Sequence, residues 1–236
     1  MMFNSKGLNA SKGMPLYISF LHLLFPSRCL DCKIELLPDE PGVCVFCQAG
    51  LEAITLPVER PPHLTMDSVE IYALFYYKKQ GVSQSLLHAI KYSQGRSLCV
   101  VWGRAFAQQL SRHSVESLGC LIPVPLHPKK KFLRGYNQSE LIAKGILVEF
   151  PQLHLNTRCI RRINHTKSQT RKNRNARLFD ASSTFELIPE HLSAYQHVGL
   201  VDDVVTTGAT LMGIINLLRT RLPHIRITIF VLAVTK

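Results

Sequence analysis

The sequence predicts an α/β protein: a doubly wound, mostly parallel sheet preceded by a small four-cysteine module. Three observations carry that expectation. From Leu121 onward, short apolar runs alternate with helical patterns, the order that builds a sheet covered by helices. Ile225–Val234 is apolar almost throughout, as a strand buried on both faces of a parallel sheet must be. Near the other end, Cys29, Cys32, Cys44 and Cys47 form two C-x-x-C pairs separated by eleven residues.

The chain of 236 residues has ample apolar content for a buried core. Its composition suggests a disordered tail over 1–13, a helix, metal module and linker over 14–66, and the α/β domain over 67–236. No run approaches the roughly 20 apolar residues of a membrane helix. Pro15–Phe25, with Lys6 and Lys12 before it, imitates a secretory signal, but His22 interrupts it and Pro26-Ser27-Arg28 offers no small-residue cleavage site. A short amphipathic helix is expected there instead, and a reducing cytoplasm suits the cysteine usage.

Two C-x-x-C knuckles joined by a short hairpin complete a tetrahedral site of four thiolates, the arrangement of a closed structural zinc site. Two redox dithiols or two disulfides are the rival readings, and zinc is favoured because nothing else in the chain indicates redox work. Cys99, Cys120 and Cys159 stand alone in apolar segments and read as small buried residues.

Leu56–His63 has three prolines in eight residues and reads as a linker. Ser68–Tyr77 alternates and is aromatic, a strand or hairpin. Val82–Tyr92 sets Leu86, Leu87 and Ile90 at helical spacing, and Val100–Leu110 continues similarly. Lys91 could point a charge towards a phosphate, although an exposed helix lysine is the simpler reading. Cys120–Leu126 is a buried strand ended by proline and runs into a basic loop, His127–Tyr136, before a helix from about Asn137 to Val148. Arg158–Ile163 is strand-like. Asn164–Ser183 is long, polar and basic, which is uncommon inside a compact domain unless the segment is functional or disordered.

His197–Leu211 changes character twice in fifteen residues: an apolar strand, the adjacent acids Asp202 and Asp203, a hydroxyl-rich turn, then a helix with Leu211, Ile215, Leu218 and Leu222 as its buried stripe. Groups beyond the carboxyl end of such a strand converge on a ligand crevice, and a helix N-terminus offers unpaired N–H groups to an anion. Thr206, Thr207, Gly208, Ala209 and Thr210 suit a phosphate: the glycine lets the backbone close, the hydroxyls donate and the alanine leaves room. The acids would repel that phosphate and so face sugar hydroxyls or a cation. The ligand implied is a sugar phosphate, against the plainer reading of an ordinary strand, turn and helix.

This segment resembles the phosphoribosyl pyrophosphate (PRPP) motif of type I phosphoribosyltransferases. The resemblance implies that Asp202 and Asp203 take the ribose hydroxyls, that residues 206 to 210 hold the 5′-phosphate, and that magnesium accompanies the pyrophosphate. It further implies that the loop after the Cys120 strand handles pyrophosphate, with Lys129, Lys130, Lys131 and Arg134 as candidates. Pro125 and Arg134-Gly135-Tyr136-Asn137-Gln138 narrow the likeness to the ComF family of competence-associated phosphoribosyltransferase-like proteins, which also carry an N-terminal four-cysteine zinc module. Thr166, Gln169 and Arg177 fall on that family's T..Q…….R pattern in the mobile hood, while Asp180 stands where Asn is usual.

The net charge of +12 is concentrated: thirteen Lys or Arg against three Asp or Glu lie between Leu121 and Asp180, a surplus of ten. Such clustering favours an anionic partner, a polyphosphate or a nucleic acid, over a merely solvated basic face. Two functions follow: a PRPP-dependent transferase with an unidentified acceptor, or a competence accessory protein that binds single-stranded DNA and keeps PRPP as a ligand or regulator.

Overall fold

The computed structural model describes residues 26–38, 40–54, 56–58, 69–92, 95–163 and 184–236. The expected tail, the Pro15–Phe25 helix and the polar segment with Thr166, Gln169, Arg177 and Asp180 lie outside them. The strands are β1 Glu70–Tyr76, β2 Cys120–Pro123, β3 His154–Leu155, β4 Ile160–Arg162, β5 Phe185–Leu187, β6 His197–Val205 and β7 Arg226–Val234. The helices are α1 Val45–Ala49, α2 Val82–Lys91, α3 Gly95–Ala107, α4 Pro128–Arg134, α5 Gln138–Glu149 and α6 Ala209–Arg221.

Five strands form one sheet in the order β1-β7-β6-β2-β3, and every pair in it is parallel. The α/β expectation is met in kind and in direction. β7 is buried from Ile227 to Val234, as a strand with helices over both faces must be. Tyr72, Val201 and Phe230 pack on one face with α2, α3 and α5, while Leu200, Ile229 and Val231 pack on the other with α6. Period-two alternation along each strand makes this division. α3 contributes Trp102 and Phe106, both fully buried, and burying a side chain of that size stabilises the fold by roughly 1.5–3 kcal/mol.

The chain leaves β2, returns to its one side as β3, and later fills its other side as β6. The direction of winding therefore reverses between β2 and β6, where an open α/β sheet leaves a crevice beyond the carboxyl ends of its strands. A separate antiparallel pair, β4 with β5, brackets residues 163–184.

Of the two readings of Ser68–Tyr77 the strand is found, at Glu70–Tyr76. Two local expectations are corrected. The start of the proline-rich linker is no free connection: Val58 is buried and its N–H donates to Ile71 O at 2.9 Å, while Ala53 bridges Phe75, so this stretch lies along the outer edge of β1. The basic loop after β2 is a helix. His127 caps it by accepting from Lys129 N, Pro128 stands at its first turn, and Gly135 closes it at φ +74°, a left-handed conformation that costs glycine nothing.

The cysteine module is packed on the domain. Leu36, Val43 and Leu51 join the same core as Leu86, Leu98 and Trp102. Trp102 Nε1 donates to Pro41 O at 3.0 Å, and Ser85 Oγ on α2 donates to Asp31 Oδ1 at 2.8 Å.

Candidate functional site

Asp202 and Asp203 lie within β6, and the strand runs on to Val205 before the turn. The acids are therefore not quite the tip that the sequence suggests. Ser139, in the first turn of α5, donates from Oγ to Asp202 Oδ1 at 2.9 Å, and Asp203 N donates to the same oxygen. Lys91, the last residue of α2, brings Nζ within 3.1 Å of Asp203 Oδ2, an ion pair whose angle falls outside hydrogen-bond geometry.

The electrostatics of the pair are unbalanced. Burial, with the Asp203 charge beside it, pushes the Asp202 carboxyl up to about 8, against the lowering effect of its hydrogen bonds from Asp203 N and Ser139. Among the described residues Lys91 is the cation that pairs with the acids, and it reaches Asp203 alone. An incoming cation, or hydroxyl groups able to donate, would relieve the repulsion that protonation relieves without them.

The segment Arg134 to Ser139 ties the surroundings together. Arg134 Nη1 donates to Gln138 Oε1 at 2.7 Å and its guanidinium stacks 5.8 Å from the Tyr92 ring centre. Tyr136 Oη donates to Ile90 O at 2.7 Å. Asn137 Nδ2 donates to Val124 O at 3.0 Å, while its Oδ1 caps α5 by accepting from Ser139 N. Arg96 donates to Gly135 O and lies over the Tyr136 ring. Asn137, Gln138 and Ser139 are all buried, and each polar side chain among them has a partner. The surroundings of the acids are thus a satisfied polar network that ties Val124 after β2, α2 and α3 to Asp202 on β6.

Beyond the acids, Thr206, Thr207 and Ala209 are exposed and Thr210 is half-buried. Gly208, at φ +70°, turns the chain into α6, and no side chain caps that helix. Ala209 N donates to Thr207 Oγ1 at 3.5 Å, and the N–H groups that follow it in the first turn can meet an incoming acceptor.

The sequence-predicted site residues divide accordingly. Asp202 and Asp203 lie near the carboxyl end of β6 and residues 206 to 210 follow it, while Arg134 ends α4, the helix that follows β2. Lys129, Lys130 and Lys131 are exposed along α4. Gln169 and Arg177 lie outside the described residues. Sequence reasoning missed Ser139 and preferred the plain reading of Lys91, yet both touch the acids. A basic last residue on a helix was the available signal for Lys91; nothing local marked Ser139.

In the module, all four cysteine sulfurs lie within 4.8 Å of one another, and Cys32 Sγ and Cys44 Sγ are 3.5 Å apart. Zinc–sulfur bonds of about 2.3 Å in a tetrahedron set sulfurs about 3.8 Å apart, so the cluster fits a metal ion and is consistent with structural zinc. Burial opposes ionisation of Cys29, but N–H groups of Cys44, Asp31 and Cys32 bring its thiol down to about 6. Cys47 is driven up by burial and by the three neighbouring thiols. All seven cysteines are free thiols. Cys99, Cys120 and Cys159 are buried as expected, and burial pushes each up to about 12. No helix among the described residues is long and apolar enough to cross a membrane.

Fold and site together define a parallel α/β domain with an acid pair at its switch point and a four-cysteine module docked on one side. The chain is 34% identical over 213 residues to Competence protein F of Haemophilus influenzae, covering 83% of this chain and 92% of that one. It is 26% identical over 219 residues to DNA utilization protein YhgH of Salmonella typhimurium and 26% over 220 residues to that of Escherichia coli, with the same coverage of both chains. No family model matches the chain. The likeness to Competence protein F, over most of both chains, places it plainly: this protein belongs to the ComF family.

Proposed function

We propose that the chain binds PRPP with magnesium in the crevice between β2 and β6 and transfers its phosphoribosyl group to an acceptor. The observation that supports this reading is the run of Asp202 and Asp203, steadied by Ser139 and Lys91, directly ahead of a turn whose Gly208 leaves the start of α6 uncapped. Ribose hydroxyls donate to the two carboxylates, and residues 206 to 210 take the 5′-phosphate. Arg134, across the crevice, faces the pyrophosphate, with Lys129 to Lys131 as further cations and Gln169 and Arg177 contributed by the hood. Magnesium, held beside Asp202 and Asp203 together with the bound PRPP, would supply charge neutralisation for the leaving group.

In the transfer, the bond from the anomeric carbon to the pyrophosphate oxygen breaks as the acceptor's lone pair forms the new bond, through an oxocarbenium-like state. Pyrophosphate leaves with the electron pair and the acceptor's proton passes to solvent. The carboxylates orient the ribose and favour the positive charge that develops on it.

Calorimetry with PRPP and magnesium tests this reading. Binding is expected for the native protein with proton release, seen as a dependence of the enthalpy on buffer ionisation, because the ligand draws Asp202 to its charged form. The Asp202→Asn/Asp203→Asn variant should lose at least ten-fold in affinity. Equal binding by native and variant would overturn the assignment.

A second reading is favoured by the charge surplus between Leu121 and Asp180 and by the relatives' names: the chain binds single-stranded DNA, and PRPP is its ligand or regulator.

A further inference from the structure

The surface of α4 is unusual for a soluble domain. Phe132 is 88% exposed and Leu133 82%, the highest values among the large apolar residues described. Lys129, Lys130 and Lys131 precede them and are also exposed. On a helix, positions three and four apart share a face, so Lys129 stands beside Phe132 and Leu133 while Lys130 and Lys131 flank Arg134. The rim continues the same mixture: Tyr92 is 54% exposed under the Arg134 guanidinium, with the His88 ring 4.6 Å from its own, and exposed Arg96 covers Tyr136 at 5.4 Å.

We propose that α4 and this rim form a track for single-stranded nucleic acid, with Phe132 as a platform on which a base stacks. The proposal rests on the second reading above and names the surface that serves it. Cations placed alternately with aromatic faces match a strand whose phosphates and unpaired bases alternate in the same way. A duplex hides its base faces and has no use for Phe132. An anionic membrane fits less well, because two apolar residues on a seven-residue helix give little area to insert. The track runs from α4 past Arg134 to the end of α2 and so borders the acid pair.

Fluorescence anisotropy with labelled oligothymidylate, measured across a salt series, tests the assignment on the full chain. All the altered side chains are exposed, and thermal melting checks that each variant folds. Phe132→Ala should weaken single-strand binding roughly ten-fold and leave duplex binding unchanged, while Phe132→Trp retains it. Lys129→Gln/Lys130→Gln/Lys131→Gln should reduce the slope of log affinity against log salt by about two. If the native chain fails to bind at low ionic strength, this proposal and the second reading both fall. If it binds, but the alanine and glutamine variants bind equally well, the track is wrong and the second reading stands. Capture by anionic phospholipid vesicles that depends on Phe132, without oligonucleotide binding, would overturn the proposal in favour of a membrane contact.

Discussion

The four thiols of the N-terminal module and the two carboxylates of β6 are both crowds of acids, and the fold settles them in opposite ways. The thiols converge from two knuckles until every sulfur faces the other three, so one cation completes the set and no ligand position stays open. The carboxylates are adjacent on one strand, and each has a different anchor, Ser139 for one and Lys91 for the other. Their charge is left unbalanced, and the turn beyond them is exposed. A closed crowd is a structural device; an unbalanced one beside a crevice is prepared for something that comes and goes.

The contrast can be broken first at the metal. Cys44 is 3% exposed, and Cys44→Ser should remove the one zinc per chain expected by metal analysis of the reduced native protein. Losing the ion with a ligand should cost on the order of 4 kcal/mol and lower Tm by about 10 °C. A variant that keeps its zinc, or melts like the native chain, would show that the crowd of thiols does not depend on a cation.

The acid pair should show itself in the pH dependence of stability. A carboxyl whose folded value is raised to about 8 contributes stability that is complete below its unfolded value near 4 and is lost as pH climbs through 8. Asp202→Asn removes that loss. The variant should therefore melt at nearly the native temperature at pH 4 and clearly above it at pH 8 to 9. Parallel melting profiles across this range would refute the unbalanced pair.

The smallest effect should come from Ser139→Ala. It deletes one hydrogen bond to Asp202 and should cost about 1 kcal/mol in urea unfolding, with the larger cost at pH 9, where the acceptor is charged. A greater loss at pH 5 would mean that the hydroxyl serves packing instead of the carboxylate.

Much of this was legible beforehand, for identifiable reasons. β7 reads directly because burial on both faces leaves an unbroken apolar run, and the cysteine knuckles read because metal geometry fixes their spacing. The acid pair and the glycine turn read because they are consecutive. What escaped was either non-local or unsupported by burial. Ser139 lies 63 positions from Asp202, and no periodicity links them. α4 has no buried residue to give it a stripe, so only its terminal Pro128 and Gly135 betray a helix. The start of Leu56–His63 looked like a linker because the segment's three prolines speak louder than the bond from Val58 N to β1, and an edge position is where prolines are tolerated.

One element belongs to both crowds. The beginning of α2 holds Ser85 against Asp31, between the two cysteines of the first knuckle, and its end holds Lys91 against Asp203. Ten residues of helix make a spar about 15 Å long, stiff over that distance. The two contacts, at Ser85 and Lys91, lie about 9 Å apart along its axis, so the module that looks like a mere staple and the lysine that meets Asp203 are fixed to the same rigid rod.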